Sequence, residues 1–225
     1  MKPFVTLARA LTPGGAELTL HERDTHFFLR VNGQPLMATN AVESEKMLAQ
    51  LACDHLRAKT PARVLIGGLG FGFTLRRVLE LVGSDAIVRV AELLPEVVAW
   101  NREFLRPVNG LLLDDPRVRI SIEDVFETIT RAPAAHYDAM LFDVDNGPMA
   151  MVQDDNARLY QAMGLAAITH ALKPGGRVTF WSAGPDSAFA KRLSKAGFTV
   201  EVVAAKACSR ARRSAHTIFV ADRKG

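Results

Sequence analysis

The chain has 225 residues, 48% of them apolar and 23% charged, with a net charge of +4, the profile of an ordinary globular protein able to bury a full core. No apolar run approaches the roughly 18 residues of a membrane span, and residues 1–15 hold too short an apolar core for a secretory signal, so a cytoplasmic protein with no membrane partner is expected. The two cysteines, Cys53 and Cys208, lack CxxC or histidine spacing, which argues against a metal, and the basic stretch 206–213 lacks the aromatic interleaving of a single-strand binder, so nucleic acid is not expected as a partner.

Residues 1 to about 40 read as a small N-terminal β hairpin domain. Segments 17–22 and 26–31 alternate apolar with polar, Asn32-Gly33 signals a tight hairpin turn, and 34–38 returns as a further strand. Residues 41–225 read as a second, α/β domain. Segment 41–57 has apolar residues at helical spacing, with Asn40 as the expected N-cap.

The next stretch organises the chain. A buried strand at 64–66 runs into the glycine-rich turn Gly67-Gly68-Leu69-Gly70-Phe71-Gly72, and a helix is expected over 74–82. Strand, glycine turn and helix make the first unit of a nucleotide- or nucleoside-binding domain. Without Cβ atoms, the turn lets backbone lie against a ligand at the helix N-terminus. The following strand, 86–92, ends in Glu92, which lies 20 residues beyond Gly72, the spacing at which a carboxylate reaches the hydroxyls of a ribose.

Strands and helices then alternate. Pro95 opens a helix to about residue 105, and a strand at 118–122 ends in Glu123-Asp124. A short helix covers 125–130, and a strand at 137–142 ends in Asp143. A long helix is expected over 154–172, closed by Lys173-Pro174-Gly175-Gly176, then a strand at 177–181 and a helix at 188–196. Strands at 198–203 and 217–221 have no helix between them. The class is therefore α/β: a doubly wound, mostly parallel seven-stranded sheet with an antiparallel edge strand. Four successive strands end in a glycine turn or an acidic residue. In such a sheet these ends converge on one crevice.

These residues together resemble a family. The stretches 63–79, 91–105, 114–129 and 137–148, with Leu159-Tyr160 and the 172–176 segment, are similar to spermidine synthase-type aminopropyltransferases, relatives of the class I S-adenosylmethionine-dependent methyltransferases. The resemblance implies transfer of an aminopropyl group from decarboxylated S-adenosylmethionine to an amine acceptor. Methyl transfer from intact S-adenosylmethionine, or adenosyl binding without catalysis, are the alternatives. Gly67, Gly68, Gly70, Gly72, Glu92, Leu93, Glu123, Asp124, Val125 and Asp143 would hold the co-substrate. Within that set Glu92 would meet the ribose, Asp124 the adenine amino group and Val125 the ring. Asp143 matches the catalytic aspartate, with Asp145 as helper, and Asp145, Asn146 and Tyr160 would contact the acceptor. A homodimer is expected.

Three departures from the family pattern bear on the acceptor. The glycine turn carries Phe71 and no acid, the acidic stretch after strand four is contracted to residues 143–148, and near residues 44–46 Lys46 is expected to contribute a cation. A diamine is a dication, and burying it without paired carboxylates is costly. Weak discrimination between the two cofactors and poor use of putrescine are therefore expected.

Overall fold

The computed structural model describes residues 3–57, 61–144, 154–209, 211 and 213–225. Strands β1 (Val5–Leu11), β2 (Glu17–Arg23), β3 (His26–Val31) and β4 (Gln34–Ala38) form an antiparallel sheet in chain order. Asn32 and Gly33 both take positive φ, 48° and 77°, which is the turn that matches the twist of a two-residue hairpin. The sequence expectation missed β1. A register shift between Thr6 and Ala8 breaks its alternation, and Val5 and Leu11 are exposed.

Helix α1 (Glu43–Cys53) follows, and it starts later than expected. Asn40 does not cap it. The Ala41 N–H donates to Ala38 O in a preceding turn, and the helix begins after Val42 with no side-chain cap.

The main sheet is built from β5 (Arg63–Gly67), α2 (Phe73–Leu81), β6 (Ile87–Glu92), α3 (Pro95–Glu103), α4 (Arg106–Asn109), β7 (Val118–Ile122), α5 (Val125–Thr130) and β8 (Tyr137–Phe142). It continues through α6 (Ala162–Ala171), β9 (Leu172–Ser182), α7 (Ser187–Lys195), β10 (Phe198–Ala205) and β11 (His216–Arg223). Its strand order is β10-β11-β9-β8-β5-β6-β7. Strands β5 to β9 pair in parallel, and β11 runs antiparallel to both neighbours, so the antiparallel strand lies one place inside β10. The chain winds from β5 out to β7, then returns to place β8 on the other side of β5. That reversal opens the crevice at the carboxyl ends of β5 and β8.

One expected helix is divided. Residues Asp154–Tyr160 form a 3-10 turn and α6 begins only at Ala162. The carbonyls of Arg158 and Leu159 press so closely on Gly164 that a Cβ there would lie 2.4 and 2.6 Å from them. A continuous α-helix does not make that approach.

One hydrophobic core contains Leu18, Leu20, Phe27 and Leu29 of the N-terminal sheet together with Leu48 of α1 and Val64 and Ile66 of β5. The small sheet is thereby packed over the crevice. No helix among the described residues is long and apolar enough to cross a membrane.

Candidate active site

The glycine turn is shaped by what it touches. Gly68 has φ +88°, and a Cβ there would stand 2.5 Å from the carbonyl oxygen of Asp143. Gly70 has φ +51° and lies under Met37 of β4, whose methyl would be 2.8 Å from an added Cβ. Gly67 ends β5, accepting from the Asp143 N–H at 3.0 Å, and Gly72, with φ +80°, precedes the first turn of α2. Two asparagines hold the turn from behind. Asn101 Nδ2 donates to Gly70 O at 2.8 Å, and Asn109 Nδ2 donates to Phe71 O at 2.9 Å and to Asn101 Oδ1 at 2.6 Å. The sequence reading missed both. Their signal was a polar residue on an otherwise core-facing stretch, and both are buried.

Glu92 is buried at 7% exposure. Its Oε2 accepts from the Leu69 N–H at 2.8 Å and its Oε1 from the Leu94 N–H at 2.9 Å, so the carboxylate braces the turn while facing the crevice. Asp124 caps α5: its Oδ1 accepts from the Phe126 N–H at 2.8 Å, and its Oδ2 accepts from Arg158 at 2.6 Å. Arg158 also lies over the Phe126 ring at 4.5 Å, so it orients the cap, another contact the sequence did not disclose. Glu123 pairs with Arg89 at 2.7 Å and with Arg131. Burial works against its charge, but hydrogen bonds from Thr128 and Arg89 outweigh that and lower its pKa.

Asp143 follows β8 and accepts a hydrogen bond from the Thr74 hydroxyl at 2.9 Å. Burial raises its pKa to about 6, against the opposing bond from Thr74. Facing it from α1 is Glu45, which the sequence reading passed over. The Ser44 hydroxyl donates to Glu45 Oε2 at 2.7 Å. Burial first, and the Asp143 charge second, push the Glu45 pKa up to about 7. The two carboxyls form one interacting pair, both held above the ordinary carboxylate range by burial.

The expected cation is absent from this place. Lys46 turns outward and pairs with Glu43 at 3.0 Å, so the first turn of α1 gives the cavity a carboxylate. Phe71 is likewise turned into the core, at 4% exposure, and does not occupy the crevice. Among the expected site residues, Tyr160 does not line the cavity. It is 3% exposed and packs among Phe180 and Phe189, with ring centroids 5.9 and 5.2 Å away, because the 3-10 turn directs it into the core. Asp145 and Asn146 lie outside the described residues.

Gly68, Gly70, Glu92, Leu93, Glu123, Asp124, Val125 and Asp143 do share one cavity, as the strand ends required. Leu18, Leu29 and Met37 of the N-terminal sheet, and Trp181 of β9, enclose it from the other side. Among the described residues its lining carries five carboxylates, from Glu45, Glu92, Glu123, Asp124 and Asp143, and no lysine, arginine or histidine. No group of three histidine, cysteine or acidic side chains among the described residues is placed to hold a metal ion.

Comparison with known proteins decides the lineage. Residues 42–194 match the spermine/spermidine synthase domain family. The chain belongs to this family. A polyamine aminopropyltransferase of Mycobacterium tuberculosis is 35% identical over 126 residues, 55% of this chain and 23% of that protein. Putrescine N-methyltransferase 1 of Nicotiana tabacum is 33% identical over 118 residues, 52% of this chain and 30% of that protein. The chain thus spans less than a third of the length of these curated relatives. In fold it is similar to a spermidine synthase solved with the transition-state analogue AdoDATO, with a TM-score of 0.80, 21% identity and coverage of 97% of this chain and 73% of that one. The spermidine synthase from Thermotoga maritima gives a TM-score of 0.76 at 20% identity, covering 97% and 72%.

Proposed function

We propose that the protein transfers an aminopropyl group from decarboxylated S-adenosylmethionine to an amine acceptor, as a step in polyamine formation. The observation that carries this reading is the cavity lining: five carboxylates, two of them the buried, upward-shifted pair Glu45 and Asp143, and no cationic side chain among the described residues. Decarboxylated S-adenosylmethionine and a protonated amine are both cations, and a cation brought between two crowded carboxylates relieves their repulsion. Intact S-adenosylmethionine carries an α-carboxylate, for which this acidic lining has no cationic side chain among the described residues.

In this reading the glycine turn and Glu92 hold the ribose side, and Asp124, Leu93 and Val125 hold the adenine. Asp143 and Glu45 orient the acceptor amine, and Asp143 takes the proton it must lose before it has a lone pair. The amine nitrogen bonds to the carbon attached to the sulfonium, that carbon–sulfur bond breaks, and methylthioadenosine leaves as a neutral thioether. The remaining contribution is positioning. Asp145 and Asn146, in the segment that follows, remain proposed acceptor contacts. The expectation of a poor fit for diamines rested on a site without paired carboxylates, and Glu45 removes its basis.

Methyl transfer from intact S-adenosylmethionine is the second reading, favoured by the likeness to plant putrescine N-methyltransferases. The lining charge weighs against it. The test is release of methylthioadenosine from decarboxylated S-adenosylmethionine in the presence of putrescine and longer diamines. Amine-dependent release supports the proposal, and its absence across the diamine series refutes it.

A further inference from the structure

The parallel strands end in the acidic crevice, and beside the opposite ends of β5 to β8 lies a second, cationic cleft. It has a volume of about 380 Å³, within the range of small-molecule sites, and it is lined by Arg63, Arg89, Arg119, Ser121 and His136. Its origin is in the register. Leu65, Arg89 and Arg119 are aligned across β5, β6 and β7, Arg63 is paired with Ile87 one row below, and Ala91 with Ser121 one row above. Residues two apart on a strand share a face, so all of these lie on the same side of the sheet.

The upper part of that face is covered by α5, whose Val125, Phe126 and Ile129 share a core with Leu65 and Ala91. Helix α5 is only six residues long. Below it, the rows carry arginines where a covered parallel sheet ordinarily carries aliphatic side chains.

The charges in this cleft are poorly matched. Arg89 donates to Ser121 Oγ at 3.0 Å and to Glu123 at 2.7 Å, but Glu123 is shared with Arg131. Among the described residues, Arg119 reaches only the backbone carbonyls of Pro116 and Val118, both at 2.7 Å. Within the same described set, the Arg63 guanidinium meets only His136 Nδ1, at 3.3 Å. Among the described residues, neither Arg63 nor Arg119 has a carboxylate partner. An exposed arginine on a flat surface is usually just solvated, whereas cations converging on a concave, low-dielectric wall focus their field. His136 registers that field: burial lowers its pKa, Arg63, Lys173 and Arg89 lower it further, and Asp138 alone opposes them.

We propose that this cleft binds a phosphate-bearing small molecule, with Arg63 and Arg119 as the principal contacts and Ser121 as a supporting donor. Guanidinium forks match phosphate oxygens in pairs, and three arginines suit a ligand carrying more than one negative charge. The site is separate from the acidic crevice, so it stands or falls independently of the proposed transfer reaction.

Inorganic pyrophosphate is the probe. It is titrated into the full chain at constant ionic strength while the His136 ring signals are followed by NMR, with His136→Gln to assign them. Saturable binding with one equivalent, and an upward move of the His136 pKa as an anion offsets the arginines, are expected. Arg63→Gln with Arg119→Gln should weaken binding by about tenfold or more, as loss of charge-assisted bonds requires, with an unchanged melting temperature in the absence of ligand as the check on folding. An absence of saturable binding at millimolar pyrophosphate overturns the proposal. So does equal binding by the double variant, or the same response to sodium chloride.

Discussion

Replacing Glu45 with glutamine should make the protein more stable and the enzyme worse. In the folded chain the Glu45 carboxyl is held at about 7, against an ordinary 4.5. At about 1.4 kcal/mol for each tenfold in proton affinity, that gap is worth about 3 kcal/mol. The sign follows from proton counting. Between pH 4.5 and about 7 the folded state holds a proton that the unfolded chain has released, so stability falls as pH rises through that window. Below it both states are protonated and the penalty vanishes. Above it the full cost is present. Glutamine keeps an oxygen for the Ser44 hydroxyl but has no charge to repel Asp143. Urea unfolding should therefore find Glu45→Gln more stable by about 3 kcal/mol at pH 8, with the advantage fading towards pH 4.5. The same substitution removes a counter-charge for the acceptor amine. KM for the diamine should rise about tenfold to a hundredfold, the range for a lost hydrogen bond to a charged group. A variant no more stable than wild type at pH 8 would refute the buried carboxylate pair. An unchanged amine KM would remove Glu45 from the acceptor site.

Three further outcomes follow from the same geometry. Glu92→Gln should weaken methylthioadenosine binding by about 1.5–3 kcal/mol in calorimetry, and unchanged affinity would place ribose recognition elsewhere. Asp143→Asn should lower kcat by about a hundredfold to ten-thousandfold, the usual contribution of a positioned base, while methylthioadenosine affinity is retained; near-normal turnover would exclude it as the proton acceptor. Gly70→Ala forces a Cβ into positive φ and to 2.8 Å from the Met37 methyl, so the melting temperature should fall and adenosyl binding weaken, and an unchanged melting temperature would contradict the described turn.

The parts of this molecule legible in the sequence are those written in local pattern. Four of the parallel strands, β5 to β8, run into a glycine turn or an acid, and winding rules alone bring those ends together, which is how Glu92, Asp124 and Asp143 could be assembled without coordinates. Glu45 was beyond that method. It is adjacent to Lys46 on α1, and successive residues of a helix point about 100° apart, so a small rotation decides whether the cavity receives a cation or a carboxylate. Only the packing of α1 fixes that rotation. Tyr160 differs for a related reason, since it closes a 3-10 turn that the apolar pattern of 154–172 concealed, and that turn directs the ring into the core. Asn101 and Asn109 brace the glycine turn from α3 and α4, and no local motif announces a contact between segments so far apart in the chain.

The central claim is that this acidic cavity selects the cofactor without a carboxylate. The direct measurement offers equal concentrations of decarboxylated and intact S-adenosylmethionine with a diamine, and identifies the acceptor product by mass spectrometry. The account predicts an aminopropylated diamine with methylthioadenosine as co-product, in excess over any methylated diamine by about tenfold or more, the discrimination that an unpaired buried charge readily supplies. A predominantly methylated diamine, with S-adenosylhomocysteine as co-product, would contradict it.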